Sequence, residues 1–295
     1  MRWIKIHHRG SPKNFERRFF RPTKTWVLGG VLAVFLGLSG CATTQTTASG
    51  VVGVKRSQLM LVSTTELERA AAQSYRRILD QARKQGKLDR DKALLKRVQR
   101  ITHRLIPQVR HFRADALQWP WEVHVISSPQ INAWCMPGGR IVVYTGLVEK
   151  LKLTDDELAA ILGHEIAHAL REHARERTSQ ALAANLTLDI GATLLGLNRS
   201  NRDLAGLVYQ VGIGLPFSRL HEQEADQMGV ELAARAGYDP YAAVRVWQKM
   251  SQIKQNRPPE FLSTHPSART RVQTLRKIAK KVYPLYLQAQ KTIEK

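Results

Sequence analysis

Residues 153–173 read LTDDELAAILGHEIAHALREH, and they predict the helix around which the rest of the domain is arranged. Thr154 and Glu157 have the spacing of a capping box, in which two side chains bind the free backbone amides at the start of a helix. Apolar residues then recur at intervals of three and four, namely Leu158, Ile161, Leu162, Ile166 and Leu170. This periodicity is typical of a helix with one face against a core.

The same helix contains His164-Glu165-Ile166-Ala167-His168, an H-E-x-x-H motif. Residues four apart on a helix lie about 40° apart around the axis and roughly 6 Å along it, so His164 and His168 can bind one metal ion from the same face. Glu165 lies about 100° around from His164, where a carboxylate can take a proton from a water molecule at the metal. The motif predicts zinc-dependent hydrolysis with one Zn²⁺ per chain and Glu165 as the base. The alternative is two surface histidines on an amphipathic helix.

Residues 1–40 have the pattern of a signal peptide. The thirteen residues WVLGGVLAVFLGL at 26–38 follow a basic lead and are too few for an ordinary transmembrane helix. LSGC at 38–41 resembles the bacterial lipobox, which predicts lipidation of Cys41, and an uncleaved signal anchor is the alternative. Ala42 follows, and by resemblance to the lipoprotein sorting rule it favours the outer membrane, facing the periplasm. We therefore expect a cell-envelope protein that is tethered to a membrane by its amino-terminal lipid.

The formal net charge is +22, which is compatible with binding either nucleic acid or an anionic surface. The predicted export argues against nucleic acid and favours anionic lipid, lipopolysaccharide or cell-wall polymer, or a solvated surface. Cys41 and Cys135 are the two cysteines. With Cys41 acylated no internal disulfide can form, so Cys135 is predicted to be a small residue packed in a strand.

A flexible linker at 41–54, rich in Thr, Ser, Ala and Gly, is predicted to join the lipidated cysteine to one domain at 55–295. Within this domain we expect a helix that begins at a capping box of Thr65 and Glu68, and a second one from about Asp89 to Pro107. Residue patterns of period two then predict three short strands in a small antiparallel sheet directly before the motif helix, at Glu122–Ile126, Ile131–Met136 and Arg140–Tyr144. The fold class is α+β and mostly helical.

Two apolar segments after the motif helix, 182–197 and 204–215, predict a helical hairpin over the active site. A surface that dips into the bilayer is the alternative. A further predicted helix begins with the acidic stretch His221–Asp226, HEQEAD.

A catalytic zinc site commonly has three protein ligands, so a third ligand is needed besides the two motif histidines. We expect it to come from the stretch His221–Asp226. Spacing alone does not choose among His221, Glu222 and Glu224. Glu222 and Asp226 share a helical face, so one can bind the metal while the other holds a ligand in place. Glu224 lies about 200° around from Glu222 and is expected to point elsewhere.

HEIAH followed by Glu222 and Asp226 in an E-x-x-A-D pattern resembles the zinc metallopeptidase family of the HtpX and CAAX prenyl endopeptidase type, and especially its periplasmic members. The resemblance extends over most of residues 55–275 and includes NA at 132–133, PGG at 137–139, STHP at 263–266 and RV at 271–272. It implies a zincin-like metallopeptidase domain, with Glu222 as the third ligand and Asp226 oriented on a ligand histidine. It also implies that a sheet edge receives substrate, here at Asn132, Ala133 and Trp134.

The resemblance further places His265 near the zinc ion. A neutral imidazole there can occupy the open coordination position and exclude water, or it can donate a hydrogen bond to the oxyanion of the reaction. We favour the blocking role. A loop histidine that caps a helix near Ser267 is the third possibility.

The predicted function is an envelope-tethered zinc endopeptidase. A substrate that adds as a strand to a sheet edge is recognised through its main chain more than through its side chains. Unfolded or misassembled envelope proteins are therefore the expected substrates. One alternative is an outer-membrane assembly factor or chaperone with secondary protease activity, with the outer-membrane assembly machinery as a possible partner. Another is a structural lipoprotein that binds cell-wall polymer.

Overall fold

The computed structural model of the chain describes residues 43–194, 209–253, 259–265 and 270–293. The predicted signal peptide, Cys41 and the middle of the predicted hairpin at 195–208 lie outside these residues. None of the helices in the described ranges combines the length and the hydropathy that crossing a membrane requires.

Helices dominate the fold, as predicted for a mostly helical α+β chain. The elements in chain order are β1 (Thr43–Thr44), β2 (Gln58–Leu59), α1 (Thr64–Lys84), α2 (Lys92–Leu105), β3 (Glu122–Ile126), β4 (Ala133–Met136), β5 (Arg140–Tyr144), α3 (Thr145–Leu151), α4 (Asp155–Leu170), α5 (His173–Leu194), α6 (Arg219–Arg235), α7 (Ala242–Ser251), α8 (Glu260–Thr264) and α9 (Arg271–Ile293).

The motif helix is α4, and the predicted capping box at its start is confirmed, because Thr154 and Glu157 bind each other's backbone amides. The capping box of α1 lies two residues before the predicted pair of Thr65 and Glu68. It is formed by Ser63 and Glu66, so the helix begins at Thr64. Both pairs have polar side chains with the required spacing, so the spacing alone does not distinguish them, and the structure uses the earlier pair.

The three-stranded sheet has the order β3-β5-β4, with β5 in the middle. β4 and β5 pair antiparallel across the turn at 137–139, but β3 and β5 are parallel. The prediction of an antiparallel sheet is therefore wrong for one of the two strand pairs. The chain reverses direction twice between β3 and β5, so β5 runs in the direction of β3 and lies beside it.

α4 and α6 pack at very short range because Gly163 and Gly229 meet at their crossing. A Cβ atom on Gly163 would lie 2.6 Å from the carbonyl oxygen of Gly229, and one on Gly229 would lie 2.6 Å from the backbone nitrogen of His164. Only glycine permits this approach, and the crossing is adjacent in sequence to the first motif histidine. It brings the acidic side chains of α6 to the motif.

Residues 43–54 differ from the flexible linker predicted there. β1 pairs with β2, and the Thr46 hydroxyl donates to the carbonyl of Arg171 at 3.2 Å. Val52 and Val54 belong to the core, and the backbone amide of Val52 donates to Glu231 at 2.9 Å. Apolar side chains and a buried acceptor therefore fix a segment whose composition is typical of a linker.

Candidate active site

The two motif histidines meet a carboxylate from α6. His164 Nε2 and His168 Nε2 lie 3.1 Å apart. Glu222 Oε1 is 3.3 Å from His168 Nε2, and its Oε2 is 3.6 Å from His164 Nε2. Of the three residues left open for the third ligand, the structure brings Glu222 to the histidines. His221 Nε2 instead faces Glu176 Oε2 at 3.2 Å.

His265 completes this cluster from the end of α8. Its Nδ1 lies 3.0 Å from Glu222 Oε1 and 3.2 Å from His164 Nε2. Its ring stacks on Phe261 and Phe217, with ring centroids 4.5 and 5.4 Å away. One ligand atom from each of the four residues of the cluster lies within 4.8 Å of the others, and all four residues are buried.

Imidazole nitrogens and a carboxylate are the donors that zinc prefers, so the cluster fits this metal. Glu165 lies beside the cluster. Its buried Oε1 accepts no hydrogen bond from any described residue, and His265 Nε2 is 3.5 Å from it. A buried carboxylate oxygen without a partner is costly, so this atom is suited to a proton donor that is not part of the protein. A water molecule is such a donor.

Asp226 and Arg271 hold the His164 side of the cluster. His164 Nδ1 lies 3.1 Å from Asp226 Oδ1, which is the contact that the predicted orienting role requires. Arg271 donates to Asp226 Oδ1 at 2.7 Å and to Glu222 Oε2 at 2.8 Å. Its guanidinium also covers the ring of Trp247 at 3.6 Å. Sequence reasoning assigned Arg271 no role, although it lies in the RV pair that the resemblance includes.

The His168 side is held by His173 and Glu224. His168 Nδ1 and His173 Nδ1 are 2.9 Å apart, and His173 Nε2 lies 2.9 Å from Glu224 Oε2. On a continuous helix His173 would lie about 140° around from His168 and would not face it. Glu172 adopts a left-handed conformation with φ of 52°, which ends α4 and lets α5 begin with His173 against His168. Spacing gave no signal for this contact.

Arg56, from the segment before α1, lies between two carboxylates. It donates to Glu224 Oε1 and Oε2 at 3.1 and 2.9 Å and to Glu176 Oε2 at 2.7 Å. Arg171 donates to Glu224 Oε1 at 3.1 Å and is wholly buried. Glu224 therefore points away from the cluster of His164, His168, Glu222 and His265, as predicted, and into a buried network of charges.

Burial and neighbouring charges set the electrostatics of the cluster. Burial raises the pKa of Glu165 and lowers the pKa of His168 well below its usual value, which leaves the imidazole neutral. Burial alone would raise the pKa of Glu222, but His265 and the motif histidines hold it well below its usual range. Burial opposes protonation of His265, yet Glu165 and Glu222 raise its pKa overall. Burial lowers the pKa of His173 to about 4.

Asn132, Ala133 and Trp134, the predicted substrate-binding residues, lie at or near the start of β4. The Ala133 amide donates to the Asn132 side chain at 2.9 Å, and the Trp134 ring packs edge-to-face on Tyr75 at 6.0 Å. A narrow cleft, with a cavity volume of about 20 Å³, adjoins His168 beyond the other end of this strand. Its walls include Leu67, residues at or near the end of β4, namely Cys135, Met136 and Gly138, and Phe217, which lies just before α6.

Cys135 is a partly buried free thiol in β4, as predicted for a residue packed in a strand. Burial raises its pKa well above the usual value. The thiol is therefore protonated at neutral pH and a weak nucleophile.

A buried H-E-x-x-H helix, a carboxylate from a crossing helix and a small sheet beside them define a zincin-like metallopeptidase. Residues 93–279 match the profile of "Peptidase family M48", and the chain belongs to that family. The predicted family is thus confirmed.

Curated relatives agree with this assignment. The chain is 39% identical over 155 residues to "Mitochondrial metalloendopeptidase OMA1" of Arabidopsis thaliana, covering 52% of this chain and 31% of that protein. It is 40% identical over 167 residues to "Metalloendopeptidase OMA1, mitochondrial" of Bos taurus, covering 52% and 32%. It is 30% identical over 186 residues to "Beta-barrel assembly-enhancing protease" of Escherichia coli (strain K12), covering 60% and 38%. The matched region therefore spans less than half the length of each of these relatives.

Proposed function

We propose that the chain is a zinc-dependent endopeptidase in which His164, His168 and Glu222 hold the metal and Glu165 is the general base. The observation that carries this proposal is the convergence of both Nε2 atoms and the Glu222 carboxylate within 3.6 Å, beside a buried Glu165 oxygen that accepts no hydrogen bond from the described residues.

A bound zinc ion would supply a Lewis acid that activates water and polarises the scissile carbonyl. Glu165 accepts a proton from the attacking water and returns it to the leaving amine. Arg271 holds the carboxylates of Glu222 and Asp226 in place, because it donates a hydrogen bond to each of them.

For His265 the blocking role is better supported than the oxyanion role. Its ring lies between Phe261 and Phe217, with one nitrogen among the proposed ligand atoms and the other 3.5 Å from Glu165. In this position the imidazole occupies the space that a substrate carbonyl and a water molecule need. Catalysis therefore requires His265 to move away.

The proposed substrates are unfolded or misassembled proteins of the cell envelope. β4 is a terminal strand of the sheet among the described residues, and its carboxyl end leads to the cleft beside His168. An extended chain can add to such an edge through main-chain hydrogen bonds. Export and a lipid on Cys41 would place the domain on a membrane, and the outer membrane is the proposed destination.

A second candidate is an assembly factor or chaperone of the outer membrane with secondary protease activity. The name of the Escherichia coli relative, which couples β-barrel assembly with a protease, favours it. The two candidates differ in the need for catalysis, because an assembly factor would retain its effect on outer-membrane proteins when Glu165 is replaced.

Digestion of a chemically unfolded substrate protein tests the enzyme directly. We expect cleavage by the wild-type protein, loss of cleavage after zinc is removed with a chelator, and recovery when zinc is added back. Continued cleavage by protein from which the chelator has removed all zinc would refute the proposed metal dependence.

A further inference from the structure

We propose that His173 is a positioning residue for the metal site, which fixes the tautomer and the orientation of His168 through a Glu224–His173–His168 chain. This inference rests on the proposed function, because it concerns a ligand of the proposed zinc ion. His173 touches neither the substrate cleft nor the atoms that react, so its effect acts through His168.

The direction of each hydrogen bond in this series follows from the two arginines that bind Glu224. Arg56 and Arg171 have only donors, so both oxygens of Glu224 act as acceptors. The neighbouring Nε2 of His173, 2.9 Å from Glu224, must therefore carry a hydrogen. A neutral imidazole has one N–H group, so His173 Nδ1 is left as an acceptor.

The same reasoning extends to the proposed ligand. His168 Nδ1 lies 2.9 Å from His173 Nδ1 and must donate to it. The lone pair of neutral His168 is then on Nε2, which is the nitrogen that faces Glu222 at 3.3 Å. The buried ion pairs of Glu224 thus select the one tautomer of His168 that can bind metal, before any metal arrives.

The two histidines of the motif are supported in different ways. His164 Nδ1 contacts a carboxylate directly, at Asp226. His168 reaches its carboxylate, Glu224, through an intervening imidazole. Glu224 and Asp226 lie two residues apart on α6 and so on nearly opposite sides of the helix, and His173 spans the additional distance. Mutation of a residue that orients a metal-bound histidine typically lowers metal affinity or activity by about 10–100-fold.

His221 provides a matched control. Its ring stacks on that of His173 with centroids 4.4 Å apart, and it is also buried, but its Nε2 contacts Glu176 and not a proposed ligand. Replacing either histidine by Phe disturbs the same buried network. Only the His173 change removes the hydrogen bond to His168.

The experiment measures the zinc dissociation constant of metal-free protein by competition with a chromogenic chelator. We expect His173→Phe to bind zinc about 10–100-fold more weakly than wild type, and His221→Phe to remain within about threefold of it. With zinc at saturation, kcat should fall in His173→Phe while KM changes little, since the cleft is intact. Equal zinc affinities of folded wild-type and His173→Phe protein would overturn the inference.

A measurement on the unmodified sequence covers the case in which His173→Phe does not fold. In protein labelled with ¹⁵N-histidine, we expect His173 to be protonated at Nε2 and bare at Nδ1, and zinc-free His168 to be protonated at Nδ1. The opposite tautomer at His173 would contradict the proposal. A wild-type protein that binds no zinc would overturn the proposed function itself, and this inference with it.

Discussion

Gly163 and Gly229 touch where α4 and α6 cross, and a Cβ atom on either residue would lie 2.6 Å from a backbone atom of the other helix. The contact determines how far the acidic side chains of α6 lie from the histidines of α4. Backbone atoms cannot move aside as a flexible side chain can. The separation of the proposed ligands therefore depends on two residues that bind nothing.

Gly229→Ala is expected to push the two helices apart. An alanine in a helix would normally be favoured by about 1 kcal/mol over glycine, but overpacking costs about 1–3 kcal/mol, so we expect a net loss of stability and weaker zinc binding. Denaturant unfolding and chelator competition measure the two effects. Gly214→Ala is the control, because a Cβ atom there would meet no atom within 4 Å. Unchanged stability and zinc affinity in Gly229→Ala would contradict this account of the crossing.

Glu165→Gln should separate metal binding from catalysis. The substitution removes the proposed base and leaves all proposed ligands in place, so zinc content should be preserved while turnover falls by about 10²–10⁴-fold. Glu222→Gln should lower zinc content. Metal analysis and digestion of an unfolded substrate check both variants. Near wild-type turnover in zinc-loaded Glu165→Gln protein would rule out the mechanism.

His265→Ala should raise basal proteolysis, because the imidazole that occupies the reaction space is removed. The measurement is turnover per zinc-loaded, folded molecule. A fall in turnover of about 10²–10³-fold would instead assign His265 as a donor to the oxyanion. Unaltered turnover with a small change in stability would leave only a structural role.

Acid should weaken the network around Arg56. Burial alone would raise the pKa of Glu176, but hydrogen bonds from Arg56, His221 and Gln58 hold it well below the usual value of 4.5. A carboxylate with a depressed folded-state pKa stabilises the fold above about pH 4.5, and that contribution is lost as the pH falls towards the folded-state pKa. We therefore expect the unfolding free energy of Glu176→Gln to fall less steeply below pH 4.5 than that of wild type.

Asp80→Asn is the control for this acid experiment, because Asp80 pairs with Arg83 on the surface, where both side chains are exposed. Its unfolding free energy should stay within about 0.5 kcal/mol of wild type, because an exposed ion pair contributes little to stability. If the unfolding free energy of Glu176→Gln, measured by denaturant unfolding, falls as steeply with decreasing pH as that of wild type, the Arg56 network does not contribute to the acid dependence of stability.

Cys41→Ser should abolish lipid labelling and processing, because the thiol is the proposed acylation site. Metabolic labelling with a fatty acid and membrane fractionation measure the effect. Cys135→Ser is the control, since that thiol is partly buried in the folded domain. Persistent labelling of Cys41→Ser would disprove the lipobox.

The local parts of the site could be predicted from sequence. α4, its capping box and the relation of His164 to His168 depend on residues a few positions apart. The third ligand could not be chosen by spacing, because His221, Glu222 and Glu224 differ only in where the packing of α6 directs them. The parallel pairing of β3 with β5 and the contact of His173 with His168 depend on chain reversals. The composition of residues 43–54 also did not indicate that they are held in a defined conformation, because this depends on contacts with distant buried acceptors such as Glu231.

Arg56 lies ahead of residue 93, where the match to the peptidase family begins, yet it holds Glu224 by two hydrogen bonds. The boundary drawn by sequence similarity is therefore not the boundary of the working unit. A recombinant fragment cut at the start of the match would retain every peptidase motif and lose part of the scaffold of the proposed metal site. Activity lost from such a fragment would reveal nothing about the motifs themselves.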